Sequence, residues 1–173
     1  MRRPRLDKLQ PMPDLPKGYS IRQAVRKDEE SLATLLTGAF PEEPWDCNRV
    51  VQKLLDTPEV RVTFVMEHRG ELVATASERY LPDRFPGSGY LHWVGVNPKH
   101  QGMGLGKVIS LRALHAMYKN GYMDAVLETD DHRLPAIRTY LNLGFLPEDV
   151  NPSDLDRWGA IFDKLERYQA RKS

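Results

Sequence analysis

Gln101-Gly102-Met103-Gly104-Leu105-Gly106 joins two apolar patterns of different period. Before it, Tyr90-Leu91-His92-Trp93-Val94-Gly95-Val96 reads as a strand; after it, Lys107-Val108-Ile109-Ser110-Leu111-Arg112-Ala113 reads as a helix. A glycine-rich turn feeding a helix start is an anion site. The first N–H groups of a helix lack intrahelical partners, and the helix dipole adds partial positive charge. Two familiar phosphate loops fail on spacing. Counting back from Gly106-Lys107, a Walker A loop would need glycine at Gln101 and a hydroxyl at Val108. A dinucleotide fingerprint begun at Gly102 or Gly104 would need its third glycine at Lys107 or Ile109. The spacing that does hold is Gln/Arg-x-x-Gly-x-Gly/Ala, met by Gln101, Gly104 and Gly106.

Two further blocks flank this turn. Val94-Gly95-Val96-Asn97-Pro98 precedes it, and Ala136-Ile137-Arg138-Thr139-Tyr140-Leu141-Asn142-Leu143-Gly144-Phe145 follows. With the turn, they resemble the GNAT (Gcn5-related N-acetyltransferase) superfamily, most specifically over residues 90–146. The resemblance implies an α/β fold: a mixed, mostly antiparallel sheet flanked by helices, with a V-shaped splay between the strands at 90–96 and 124–129. It implies acetyl-CoA as cosubstrate, held by Val94, Gly95, Val96, Gln101, Gly102, Met103, Gly104, Leu105, Gly106 and Lys107. Tyr140 would stand beside the thioester sulfur as general acid, and its ring would also border the cosubstrate; a phenol near pKa ~10 is suited to that task. The implied activity is direct acetyl transfer, in a ternary complex, to the primary amine of a small molecule, a peptide N-terminus or a lysine. The alternative is a non-catalytic acyl-CoA-binding or regulatory module on the same fold, which would release no CoA.

The base is left open by the residues. Glu78 at a strand end, His92 on the strand before the turn, and Glu128 on the next strand are the candidates. On strand alternation His92 shares the face of Val94. Cys47, the one cysteine, lies at a helix start but far from both blocks, and reads as packed rather than nucleophilic. His100 and Lys107 flank the turn. Arg133 stands where many members of the resembled family carry an Asn that contacts the cofactor. Segments 38–46 and 79–90 should border the acceptor; they supply Phe40, Glu42, Glu43, Trp45, Asp46, Tyr80, Asp83 and Phe85. That acidic, aromatic rim suits a cationic amine.

Composition narrows the rest. The chain carries 25 basic and 24 acidic residues, so nothing global points to nucleic acid or an anionic membrane. No apolar run reaches the roughly 18 residues that span a bilayer. One cysteine excludes an internal disulfide and fits a reducing, cytoplasmic setting. The five histidines form no His-x-x-x-His pair, so no metal site is expected. Residues 1–18, with four prolines, read as an extended lead-in whose arginines are solvated. Residues 19–173 read as a single acyl-CoA N-acyltransferase domain.

Within it the predicted order is β-α-α-β-β-β-α-β-α. The strands lie at 19–24, 60–67, 71–78, 90–96 and 124–129, with a hairpin around His68-Arg69-Gly70. The tail departs from the family pattern of two closing strands. Leu146–Val150 supplies one strand, then Ser153 or Asp154 caps an amphipathic C-terminal helix with Leu155, Trp158, Ile161, Phe162 and Leu165 apolar. That helix should cover the sheet, and it leaves a homodimer contact open.

Overall fold

The computed structural model describes residues 1–148 and 153–170. Six strands form one sheet in the order β1-β6-β5-β4-β3-β2: β1 Arg2–Arg3, β2 Tyr19–Gln23, β3 Val60–His68, β4 Glu71–Arg79, β5 Gly89–Val96 and β6 Ala125–Val126. Neighbours run antiparallel except β5 and β6, which are parallel. The helices are α1 Glu29–Ala39, α2 Cys47–Val50, α3 Leu105–Lys119, α4 Leu134–Asn142 and α5 Ser153–Ala170.

Strand alternation divides the core between the two faces. Phe64 and Met66 of β3 pack with Leu105, Ile109, Ala113, Leu114 and Met117 of α3. Their neighbour Val65 turns the other way, to Leu32, Leu35 and Leu36 of α1 and to Val50 and Leu54. Each such side chain, fully buried, contributes roughly 1.5–3 kcal/mol. The β3–β4 hairpin closes through Arg69 (φ 52°) and Gly70 (φ 85°) between paired His68 and Glu71. Two successive left-handed residues give the turn that matches strand twist. Asp46 caps α2 by accepting from the Arg49 N–H at 2.7 Å, and the helix then widens into a π turn over Val51–Leu55.

Two features of β5 shape the site. It pairs with β6 only at Gly89–Ala125 and Tyr90–Val126, so the parallel strands part beyond Tyr90, as the splay requires. Against β4, Thr75 faces Gly95 and Ser77 faces His92, which leaves one extra residue on β5. This bulge lies at Trp93, whose φ is 43°. It breaks the alternation that would have put His92 and Val94 on one face.

The N-terminal residues are not solvated as expected. Arg2 and Arg3 form the sheet edge on β6, Leu127 N–H donates to Met1 C=O at 3.0 Å, and Leu6 is buried in the main core. Arg2 is ion-paired to Asp124 and to Glu148, and Arg3 donates to the Leu143 carbonyl at the end of α4. The closing strand expected over Leu146–Val150 is seen only as a bridge from Leu146 to Arg2; residues 149–152 and the Ser153 side chain lie outside the described residues. The helix α5 does not cover the sheet. It packs on α4, with Ile161 and Leu165 against Ile137.

Candidate active site

The splay and the glycine turn open one cleft of about 410 Å³. Its walls include Val94, Gly95 and Val96 of β5, Gln101, Gly102 and Gly104 of the turn, Leu105, Gly106 and Lys107 of α3, and Thr139 and Tyr140 of α4. Apart from Thr139, these are residues expected to hold the cosubstrate, and of those expected one is missing. Met103 is not in the wall; it is half exposed, and its sulfur faces the Tyr19 hydroxyl at 3.5 Å. The turn suits a phosphate physically. Gly104 has φ 76°, no side chain caps α3, and a Cβ at Gly102 or Gly104 would meet nothing within 4 Å. Lys107 and His100 add cationic or donor groups to the wall.

A second cleft, of about 430 Å³, lies on the other side of the splay. It is lined by Glu43, Tyr90, His92, Trp93, Glu128 and Asp130, among others. Phe40, Val94, Arg133, Ala136 and Tyr140 line both clefts and so mark where they meet. Trp93, bent by the bulge, has Phe40 and Trp45 edge-on at 5.1 and 4.7 Å. Arg133 lies 4.6 Å from the centre of the Phe40 ring, pairs with Glu42, and sits 3.0 Å from Asp130.

Tyr140 is buried at this junction, and burial pushes its phenol up to about 12. It remains a protonated donor throughout the working pH range. His92 opens onto the second cleft, and burial with the charge of Arg79 pushes its imidazole down to about 3. Arg79 Nη1 stands 3.2 Å from His92 Nε2. Guanidinium only donates, so Nε2 is the acceptor and the proton of the neutral ring lies on Nδ1. Glu59 in turn holds Arg79.

Glu78 must be corrected. It is fully buried, both its oxygens accept from Asn120 Nδ2 at 2.9 and 3.0 Å, and it lines neither cleft. Its carboxyl is raised by burial. The strand end that exposed it in the sequence is covered by the C-terminal end of α3, so Glu78 clamps β4 to that helix. Cys47 also lines neither cleft. Of the expected acceptor border, Phe40 and Glu43 reach the second cleft, whereas Glu42, Trp45, Asp46, Tyr80, Asp83 and Phe85 do not. Glu128 does, accepting from Tyr90 Oη at 3.0 Å and from Arg84 at 2.8 and 2.6 Å.

Residues 23–145 match the model of the acetyltransferase (GNAT) family. The chain belongs to that family. It is 31% identical over 154 residues to a mycothiol acetyltransferase of Thermomonospora curvata, covering 84% of this chain and 50% of the relative. A mycothiol acetyltransferase of Saccharomonospora viridis is likewise 31% identical, over 147 residues, covering 78% of this chain and 48% of the relative. The chain thus spans about half the length of these curated relatives. Among solved structures, an aminoglycoside N-acetyltransferase in complex with CoA superposes with a TM-score of 0.67 at 18% identity, covering 79% of this chain and 95% of the other. The fold is therefore one that is seen elsewhere with CoA bound.

Proposed function

We propose that this protein transfers acetyl from acetyl-CoA directly to a primary amine, with both substrates bound. The observation that carries the reading is the pair of clefts meeting at Tyr140 across the splayed β5–β6 pair. The glycine turn and the α3 N-terminus would hold the pyrophosphate. The pantetheine arm would lie along Val94–Val96, where β6 has left backbone groups of β5 without a sheet partner. N–H donors fixed around a bulge are suited to polarising a thioester carbonyl, at ~3 kcal/mol each in favourable cases.

In the reaction the amine nitrogen bonds to the acetyl carbon, the C–S bond breaks, and the sulfur takes a proton while the amine loses one. The Tyr140 phenol is a weaker acid than a thiol near pKa ~8.5. It therefore acts chiefly by donating a hydrogen bond to the developing thiolate, passing its proton on as another arrives. His92 accepts poorly, because Nε2 already faces Arg79. The amine proton leaves through water in the second cleft, towards its carboxylates Glu43, Glu128 and Asp130.

The lack of a poised base is also what a non-catalytic acyl-CoA-binding module would show. Incubating the protein with acetyl-CoA and a panel of amino acids, polyamines, aminoglycosides and peptides, while measuring free CoA, separates the two. Amine-dependent CoA release is expected. Tight acetyl-CoA binding with no release across the panel would favour the binding module.

A further inference from the structure

We infer that the C-terminal helix is part of the cosubstrate site, and that Tyr168 stacks on the adenine nucleotide of acetyl-CoA. This rests on the reading of the first cleft as the acetyl-CoA site. The orientation of that cleft follows from its walls. Phe40, Arg133 and Tyr140 line both clefts, so they mark the acetyl end. The turn, Lys107, Pro135 and Thr139 on α4, and Tyr168 on α5 line the first cleft alone, as do Ala39, Gly95 and Val96; on that reading Gly95 and Val96 flank the pantetheine arm, the turn and Lys107 hold the pyrophosphate, and Tyr168, carried by α5 and not by β5, is given to the nucleotide end. Tyr168 is half-buried there.

The helix delivers this ring by its own periodicity. Arg157, Ile161, Leu165 and Tyr168 are spaced by four, four and three residues, a single face of a helix. The structure docks that face on α4. Arg157 pairs with Asp131 at 2.5 Å just before α4, and Ile161 and Leu165 bury against Ile137. Tyr168 continues the stripe one turn beyond and lands in the cleft wall. An adenine entering beyond the pyrophosphate therefore finds Tyr168 as its aromatic platform. Base–aromatic stacking is sequence-tolerant and is worth roughly 5- to 150-fold in affinity when the ring is removed.

The test is calorimetric binding of acetyl-CoA and of S-acetyl-4′-phosphopantetheine, which lacks the nucleotide, to the wild-type chain, Tyr168→Ala and Tyr168→Phe. Tyr168→Ala should weaken acetyl-CoA about tenfold and leave the truncated ligand unchanged, and Tyr168→Phe should match wild type. A helical signal equal to wild type checks that α5 stays formed, and Tyr168→Leu, which keeps bulk on α5 without a ring, should repeat the alanine result. Unchanged acetyl-CoA affinity in Tyr168→Ala would overturn the assignment, and so would equal losses for both ligands, since the ring would then act on the pantetheine end or on the fold. If the wild-type chain bound neither ligand, the cosubstrate reading itself would fall, a result distinguishable from both.

Discussion

Replacing Gly104 by valine separates what the protein needs at this position from what its ligand needs. In the free protein a Cβ at Gly104 would touch nothing within 4 Å, so packing does not demand glycine. The backbone does, mildly: φ is 76°, and a residue with a Cβ held in that left-handed region costs about 1–2 kcal/mol. For a chain of 173 residues that lowers Tm by about 2–8 °C, which leaves the domain folded. The ligand effect should be larger. A Cβ in the open turn displaces phosphate from one or two backbone N–H donors, each charge-assisted bond being worth about 1.5–3 kcal/mol. The Kd for acetyl-CoA should therefore rise at least tenfold. Gly106→Ala supplies the control without strain, because Gly106 is not in the left-handed region. A Cβ there would lie 3.4 Å from Val96 Cγ2, between α3 and the strand proposed to carry the pantetheine arm. Alanine also favours the helix, so this variant should be at least as stable as wild type and still bind more weakly. Calorimetry and thermal melts read both quantities. Wild-type affinity in both folded variants would refute the placement of the pyrophosphate.

Three further outcomes follow from the site geometry. Tyr140→Phe should lower kcat about 10²-fold with little change in acetyl-CoA affinity; wild-type kcat would leave Tyr140 a packing residue. Glu78→Gln should change kcat by less than about threefold, far below the 10²-fold or more expected of a lost base, because Glu78 is bonded to Asn120 away from both clefts; since burial raises its carboxyl, the ionised form is disfavoured in the fold, and the Gln variant should melt no lower than wild type at pH 7. His92→Gln should leave the acid limb of the kcat/KM–pH profile in place, that limb following the acceptor amine; its disappearance would make His92 the base. The folded imidazole is lowered to about 3, so its contribution to stability is present above about 6.5 and is lost as pH falls from there, and urea midpoints should drop less between pH 7 and pH 5 in the variant than in wild type.

The parts of the fold set by local chemistry were legible in the sequence. The turn at 101–106 and the hairpin at 68–71 each depend on a few adjacent residues. The site was legible where backbone does the binding, because glycine spacing records backbone shape. It was illegible where contacts span the chain. Glu78 has the composition of a surface base, and only the C-terminal end of α3, some forty residues on, buries it against Asn120. His92 lies where a base was expected, yet Arg79 across the bulge takes its free nitrogen. The bulge itself has no short signature: Trp93 has φ 43° with Phe40 and Trp45 packed edge-on to it from distant segments, and β-branched or aromatic runs such as 90–96 read as regular strand. Positive φ at a bulky residue persists where surroundings over-determine it, commonly at a functional site. Tyr168 could have been found, since it continues the stripe of Ile161 and Leu165, but nothing local says which cleft that stripe reaches.

The departure at the C-terminus has its physical counterpart at the other end of the chain. The edge of β6 that faces away from β5 is filled by Arg2 and Arg3. Arg2 is fixed there by Asp124 and Glu148, and it hydrogen-bonds the Ser88 hydroxyl at 2.9 Å, so one side chain ties the entry of β5, the entry of β6 and the segment after Phe145. With that edge occupied, the segment after Phe145 meets the sheet at the bridge between Leu146 and Arg2. The described chain resumes as a helix whose apolar stripe packs on α4. A strand at this edge would have ended beside β6, remote from the turn; a helix of 18 residues packed along α4 instead reaches the cleft wall with Tyr168. Among the described residues, β1 thus holds the sheet edge while α5 stands at the cleft wall. Arg2→Ala, by loosening β1, should weaken the docking of Leu146 and Glu148 and raise their amide exchange, while exchange in β3 and β4, whose pairing does not involve Arg2, stays at the wild-type rate.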